Sequence, residues 1–279
     1  MRRRFAITLI APVFLVLGLA GFSFVQAQST DEPARLVGSF KWRLTETWFG
    51  GFSAIEVSDD GSQMVALSDR GFWVIGDLVR KNGVISEVEN VQMSRVLSQD
   101  GGFAKHTGWR DSEGLAQLED GSFVVSFEAE HRLEAFPMPG ALPQNMPWPT
   151  NLGAMPLNGG FEALAVDDSG VLFAMPETAI GVEDEIQVFA LDTGKWTRAF
   201  TLPRNKQFQP VGADFGHDGR LYVLERGFNG LGFRTRVRSF DISNGIAGDE
   251  KVLFNKGIGR HDNLEGISVW RDAAGLIRL

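Results

Sequence analysis

Apolar and polar residues alternate in short runs along most of this chain, and five of the runs are variations on one phrase. They are Gly50–Gly71 (GGFSAIEVSDDGSQMVALSDRG), Asp111–Glu128 (DSEGLAQLEDGSFVVSFE), Gly160–Glu177 (GFEALAVDDSGVLFAMPE), Pro210–Gly227 (PVGADFGHDGRLYVLERG) and Asn263–Leu279 (NLEGISVWRDAAGLIRL). Each reads as a small polar start, a short apolar strand, a tight turn and a second apolar strand. The turns fall at Asp60-Gly61, Asp120-Gly121, Ser169-Gly170, Asp218-Gly219 and Ala274-Gly275. Asp-Gly between two alternating apolar runs is a strong hairpin signal. The equivalent positions Ile55, Leu115, Leu164, Ala213 and Ile267 recur roughly every 50 to 60 residues, a period close to that of propeller blades.

One hairpin cannot bury its apolar face alone, so the repeats must stack. The rest of each period also alternates: Phe72–Val79, Glu185–Leu191 with Trp196–Leu202, and Thr235–Ile242 with Lys251–Phe254. That makes about four strands per unit, as a blade requires. Ala34–Thr47 is read as an outer strand ahead of the first hairpin. Nothing past Gln28 has sustained helical periodicity, and 33 glycines against 11 prolines suit a chain of many turns. The expectation is an all-β propeller with six blades, or with five. The last hairpin has only Leu276-Ile277-Arg278-Leu279 after its turn, so its second strand is expected to be short and the sequence to be cut at this end, or the ring to close unusually.

The N-terminus changes the picture of where the chain works. Arg2-Arg3-Arg4 precedes an uncharged stretch from Phe5 to Val25, and Val25-Gln26-Ala27 offers small residues at a cleavage site. Residues 1–27 therefore read as a secretory signal peptide, with a retained membrane anchor as the rival. Arg2-Arg3-Arg4-Phe5 matches a twin-arginine signal only in part. Residues 28–33 are a polar linker and 34–279 a single domain. The expected location is periplasmic or secreted. The leader carries three of the 27 basic residues and none of the 35 acidic ones, so its removal moves the formal charge from −8 to −11. Such a chain, with no Lys/Arg block, is a poor binder of nucleic acid or anionic membrane. Its expected partner is a small molecule, and it is expected to be a monomer. Cysteine is absent, so disulfides and thiolate metal sites are excluded.

The hairpin register places candidate chemistry. Counting outward from each turn, Glu113 should face Glu128 and Glu162 should face Glu177. The matching residues of the first repeat are Ser53 and Ser68, with Asp69 and Arg70 next along. In the fourth they are Val211 and Arg226, beside Glu225, and in the fifth Glu265. Stacking puts these ends on one face around the axis, which then carries Asp69, Glu113, Glu128, Glu162, Glu177, Glu225 and Glu265 with Arg70 and Arg226 among them. So many like charges must be solvated, share protons, pair with arginine or bind a cation, and hard oxygen ligands suit Ca²⁺ or Mg²⁺. Alternatively, the strand-start glutamates Glu113, Glu162 and Glu265 accept hydrogen bonds from the neighbouring blade's backbone and clasp the ring.

The same phrases carry a family resemblance: Gly50-Gly51-Phe52-Ser53-Ala54-Ile55, Ala66-Leu67-Ser68-Asp69-Arg70-Gly71, Asp111-Ser112-Glu113-Gly114-Leu115-Ala116, Phe161-Glu162-Ala163-Leu164-Ala165, Leu221-Tyr222-Val223-Leu224-Glu225-Arg226-Gly227 and Asn263-Leu264-Glu265-Gly266-Ile267-Ser268. Together they resemble the phytase-like family, described as "esterase-like activity of phytase", over about Leu36 to Leu279. The resemblance implies an exported bacterial β-propeller that hydrolyses phosphoesters or other esters, with recurring Glu and Asp as the site. One departure is that the Ser-Asp-Asp-Asn-like phrase that usually follows the last hairpin's first strand does not occur here.

Other signals are weak. Gly51-Phe52-Ser53-Ala54-Ile55 falls one glycine short of a nucleophile elbow and opens a strand. Arg260-His261-Asp262 lacks the rest of a histidine acid phosphatase signature. His217 lies in a turn, while His106 and His261 precede Glu113 and Glu265 and are candidate proton donors. Pro137–Pro156 reads as a surface loop or a lid. The leading expectation is a metal-assisted hydrolase of a phosphoester or other ester. Its catalytic set is Asp69, Arg70, Glu113, Glu128 and Arg226, and its Ca²⁺ or Mg²⁺ ligands come from Glu113, Glu128, Glu162, Glu177, Glu225 and Glu265. The alternatives are a non-catalytic binding propeller and a calcium-dependent lactonase-like enzyme.

Overall fold

A computed structural model describes residues 34–103, 106–150, 152, 155–178, 184–257 and 263–279. The proposed leader and linker and His261 lie outside the described residues. The described residues form one compact unit. Among the described residues no helix is long and apolar enough to cross a membrane.

All five predicted hairpins form. The first blade is β1 (Phe52–Val57), β2 (Gln63–Ser68), β3 (Phe72–Lys81) and β4 (Val84–Arg95). The second is β5 (Ser112–Gln117), β6 (Phe123–Phe127), β7 (Arg132–Phe136) and β8 (Gln144–Asn145). The third runs β9 (Phe161–Val166), β10 (Leu172–Pro176), β11 (Glu185–Asp192) and β12 (Lys195–Pro203). The fourth runs β13 (Gln209–Phe215), β14 (Arg220–Phe228), β15 (Phe233–Ser243) and β16 (Ile246–Lys256), and β17 (Trp270–Arg271) pairs with β18 (Ile277–Arg278). Each four-stranded sheet is an antiparallel meander in chain order.

The turn residues act as the sequence suggests. Gly61, Gly121, Gly170, Gly219 and Gly275 all have φ between 73° and 83°, where a side chain is strained. Asp60, Asp120 and Asp272 brace their turns by accepting backbone N–H bonds two residues on.

The propeller therefore has four complete blades, not six, among the described residues. Two parts of the chain account for the difference. Ala34–Thr47 forms no strand, because β4 already completes the first blade. The fifth repeat contributes an inner segment and a two-stranded hairpin rather than a full sheet. That inner segment, residues 263–269, lies between β13 and β1. A Cβ on Gly266 would stand 3.0 Å from the Ile55 nitrogen, and one on Gly212 would stand 3.1 Å from the Glu265 carbonyl. The equivalent positions are Ala54, Gly114, Ala163, Gly212 and Gly266, so small residues let the inner segments approach closely all round.

Serines tie the inner strands together. Ser53 Oγ donates to the Ser112 carbonyl at 2.6 Å, Ser112 Oγ to the Ser68 carbonyl at 2.8 Å, and Ser126 Oγ to the Phe161 carbonyl at 2.6 Å. At the closing seam the Val57 N–H donates to Ser268 Oγ at 2.9 Å and the Val269 N–H to Asp214 Oδ2 at 2.6 Å. Apolar cores fill the gaps between blades, with Leu67, Trp73 and Val125 in one and Ala163, Met175, Val188 and Val223 in another. The described part of the Pro137–Pro156 run supplies β8, and its Leu152, Met146 and Trp148 pack on the core.

Candidate functional site

One irregularity, repeated in every complete blade, builds the site. The inner-strand register slips near its open end: between Phe52 and Ala54, Ser112 and Leu115, Phe161 and Ala163, and Pro210 and Gly212. The slipped residues are Ser53, Glu113, Glu162 and Val211, the repeat position that Glu265 occupies in the fifth unit. A bulge leaves its extra residue unpaired and turns its side chain out of the regular pleat. Glu113 is therefore not opposite Glu128, nor Glu162 opposite Glu177, as simple counting from the turn required. The sequence carried no sign of the slip beyond the small residue that follows each bulge.

The second strand of each hairpin supplies the other half. The N–H of Asp69 donates to the Gly51 carbonyl at 2.8 Å, that of Glu128 to Asp111 at 2.8 Å, and that of Glu177 to Gly160 at 3.0 Å. Arg226 pairs with Gln209 at the same level. Asp69, not Ser68, is thus the counterpart of Glu128, and the ring reads Asp69, Glu128, Glu177, Arg226. Asp111, which the sequence reading passed over, joins it from the strand start.

These groups converge. Ligand oxygens of Asp111, Glu113 and Glu128 lie within 4.8 Å of one another, and so do those of Glu128, Glu162 and Glu177. Glu128 belongs to both groups and accepts the Gly159 N–H. Arg226 stands in the second group. It reaches Glu177 at 3.0 Å, Glu265 at 2.7 Å and Glu162 at 3.7 Å, and donates to Asn263 Oδ1 at 3.2 Å. The first group contains no arginine.

The family model described as "Phytase-like: Esterase-like activity of phytase" matches residues 47–279. The chain belongs to this family. No curated protein matches it. Among solved structures it is similar to hydrazine synthase of Kuenenia stuttgartiensis, with 15% identity and a TM-score of 0.40 over 77% of this chain and 53% of that one, about half its length. It is similar also to a gluconolactonase of Xanthomonas campestris, with 16% identity and a TM-score of 0.42 over 80% of this chain and 66% of that one.

The electrostatics of this phytase-like centre follow from crowding. Burial, then repulsion from Asp111, Glu128, Glu265 and Asp69, pushes the Glu113 carboxyl up to about 9. Burial, with Glu177, Glu113 and Glu128 outweighing the help of Arg226, pushes Glu162 up to about 10. Burial also raises Asp69, Asp111 and Glu265. Arg226 loses hydration, but Glu162, Glu177 and Glu265 outweigh that loss and hold it charged. At neutral pH the cluster accordingly holds protons on Glu113 and Glu162 unless a cation replaces them.

Two predicted residues do different work. Glu225 is fully buried inside the fourth blade, where Arg238 holds its carboxylate at 2.5 and 2.9 Å and Arg236 at 2.6 Å. Successive strand residues point to opposite faces, so if Arg226 faces the axis its neighbour cannot. Glu225 is a sheet residue, not a ligand of the acidic centre. Arg70 lies beside the centre, not in it: its Nε is 4.0 Å from Asp69, and its Nη1 reaches the Phe49 carbonyl at 3.5 Å. The clasp reading of the inner glutamates also fails, because Glu113, Glu162 and Glu265 accept no backbone hydrogen bond among the described residues and the serines make those ties. His106 is exposed and makes no side-chain hydrogen bond or ion pair among the described residues.

Proposed function

We propose that this chain is an exported, metal-assisted hydrolase of small esters, with phosphoesters foremost, acting at the acidic centre. The observation that carries the reading is the group Asp111, Glu113 and Glu128, three carboxylates with ligand oxygens within 4.8 Å and no arginine among them. Oxygen donors on a bulged strand and its hairpin partner fit a hard cation such as Ca²⁺ or Mg²⁺. When bound, such an ion polarises an ester oxygen and lowers the pKa of coordinated water.

The chain's own residues then divide the work. Asp111, Glu113 and Glu128 supply negative charge, with Glu128 held in place by the Gly159 N–H. Glu162, next to Glu128 and held protonated by burial and by Glu177, is the group to hand a proton to the departing oxygen. Arg226 fixes Glu177 and Glu265, which keeps the second group from claiming a cation of its own.

A hydrolase screen of residues 28–279 tests this, using phosphate monoesters, phytate, carboxyl esters and lactones, each with Ca²⁺, with Mg²⁺ and with chelator. Cation-dependent turnover of a phosphoester supports the proposal. Cation-dependent turnover of lactones alone moves the assignment to a lactonase. Cation binding without turnover of any class leaves a binding propeller.

A further inference from the structure

The acidic centre cannot by itself seat an anionic substrate, and Arg226 is not free to help. Its guanidinium is shared among Glu177, Glu265 and Glu162. Beside the centre, however, opens a pocket of about 360 Å³ lined by Asp69, Arg70, Phe72, Arg110 and Asp111. Asp111 also belongs to the carboxylate group without an arginine, so the pocket and that group share a wall.

Two arginines, Arg70 and Arg110, line this space. Arg70 is half-exposed, and among the described residues its carboxylate neighbour is Asp69 at 4.0 Å, with the Phe49 carbonyl at 3.5 Å from Nη1. Arg110 makes no side-chain hydrogen bond or ion pair among the described residues, and its Nε is buried without a partner. A buried donor left unpaired destabilises the fold, so such a group is a reason to look for a ligand. Its position is built. The guanidinium lies 4.7 Å from the centre of the Phe103 ring, which Arg95 also faces at 4.9 Å, and Phe72 stands 5.5 Å from Phe103. The Arg110 stem crosses Gly71, where φ is +77° and a Cβ would stand 3.0 Å from the Arg110 Cβ.

Asp69 and Asp111 line the same pocket and would repel an anion. A cation on Asp111, Glu113 and Glu128 takes up the charge of Asp111. The pocket is then left with two arginines against Asp69 alone.

We propose that Arg70 and Arg110 form an oxyanion subsite, which seats a phosphate or carboxylate group of the substrate next to a cation on Asp111, Glu113 and Glu128. The planar guanidinium fork matches both anions. The cation half of this proposal rests on the function proposed above, and the arginine half does not. Because a cation neutralises Asp111, binding at one site should strengthen binding at the other, and linkage makes the factor the same in both directions.

Calorimetric titration of methyl phosphate, and separately of acetate, into residues 28–279 tests the proposal, with saturating Ca²⁺ and with chelator. The proteins are wild type, Arg70→Met, Arg110→Met and Arg110→Lys. At least one anion should bind, more tightly with Ca²⁺. Each methionine substitution should weaken it tenfold or more while leaving the Ca²⁺-induced rise in Tm, and Arg110→Lys should recover part of the loss. Response to methyl phosphate alone makes the subsite one for phosphate, and response to acetate alone one for carboxylate. If neither anion binds the wild type, or if both arginine substitutions leave binding unchanged, the subsite does not exist. If binding depends on the arginines but not on Ca²⁺, the subsite stands and the cation reading falls. Should Arg110→Met fail to fold, Arg70→Met decides, since its side chain is half-exposed.

Discussion

Calcium binding at the acidic centre should expel protons, and the structure says about how many. Glu113 keeps its proton up to about pH 9, because burial and four neighbouring carboxylates oppose its charge. At pH 7 its ionisation then costs about 3 kcal/mol, the energy of two pH units. A cation that takes Glu113 as a ligand must overcome that cost and release close to one proton. Between pH 6 and 8 the apparent affinity should rise about tenfold per pH unit. An ion held by Glu128, Glu162 and Glu177 would release its proton from Glu162 instead, and ions in both groups would release two. Titration calorimetry in two buffers of different ionisation enthalpy counts these protons directly. Glu113→Gln should abolish the release if the first group is the site, whereas Glu162→Gln should not. The stability of the cation-free protein carries the same sign. A carboxyl raised from 4.5 to about 9 favours the fold fully below pH 4.5, and that contribution falls by at most about 1.4 kcal/mol per pH unit as pH rises toward 9. Affinity that stays flat from pH 6 to 8, or full proton release in Glu113→Gln, would refute this account.

Three other substitutions separate the site from its scaffold. Glu225→Gln should cost about 3–5 kcal/mol by leaving Arg236 and Arg238 buried without their shared carboxylate, and thermal melts should show a lower Tm with an unchanged Ca²⁺ response. Arg226→Met leaves Glu162, Glu177 and Glu265 together without a cation, so thermal melts should show a lower Tm, and the loss should grow as rising pH strips protons from the raised Glu162 and Glu265 carboxyls. At the closing seam burial raises Asp214 from 3.8 to about 7, so its contribution to stability fades as pH climbs through that window. Asp214→Asn, which can still accept the Val269 N–H, should flatten the pH dependence of Tm between about 4 and 7, and an unchanged profile would count against this carboxyl as its source.

Much of this architecture is legible in the residues alone. Turn chemistry and alternation locate all five hairpins, because a glycine at positive φ in the turn and a period of two in apolarity are local requirements. The repeat is equally plain, and with it the gathering of Asp69, Glu113, Glu128, Glu162, Glu177, Arg226 and Glu265 at one end of the inner strands. Blade number is not local. It depends on how many strands each sheet completes, and the residues of β4, β7 and β8 do not announce that they finish a blade. The site's geometry escapes for a related reason. A bulge at Glu113 or Glu162 follows from neighbouring inner strands crowding onto small residues, so no single hairpin encodes it. Burial then decides chemistry that composition cannot. Glu225 and Arg226 are adjacent, but one is enclosed by Arg236 and Arg238 within the sheet and the other stands among three axial carboxylates. Arg110 carries no repeat signal at all. Only the folded chain lays it across Gly71 and onto Phe103, with its Nε unpaired beside Asp111, because that environment is assembled from parts of the chain that meet only when the blades do.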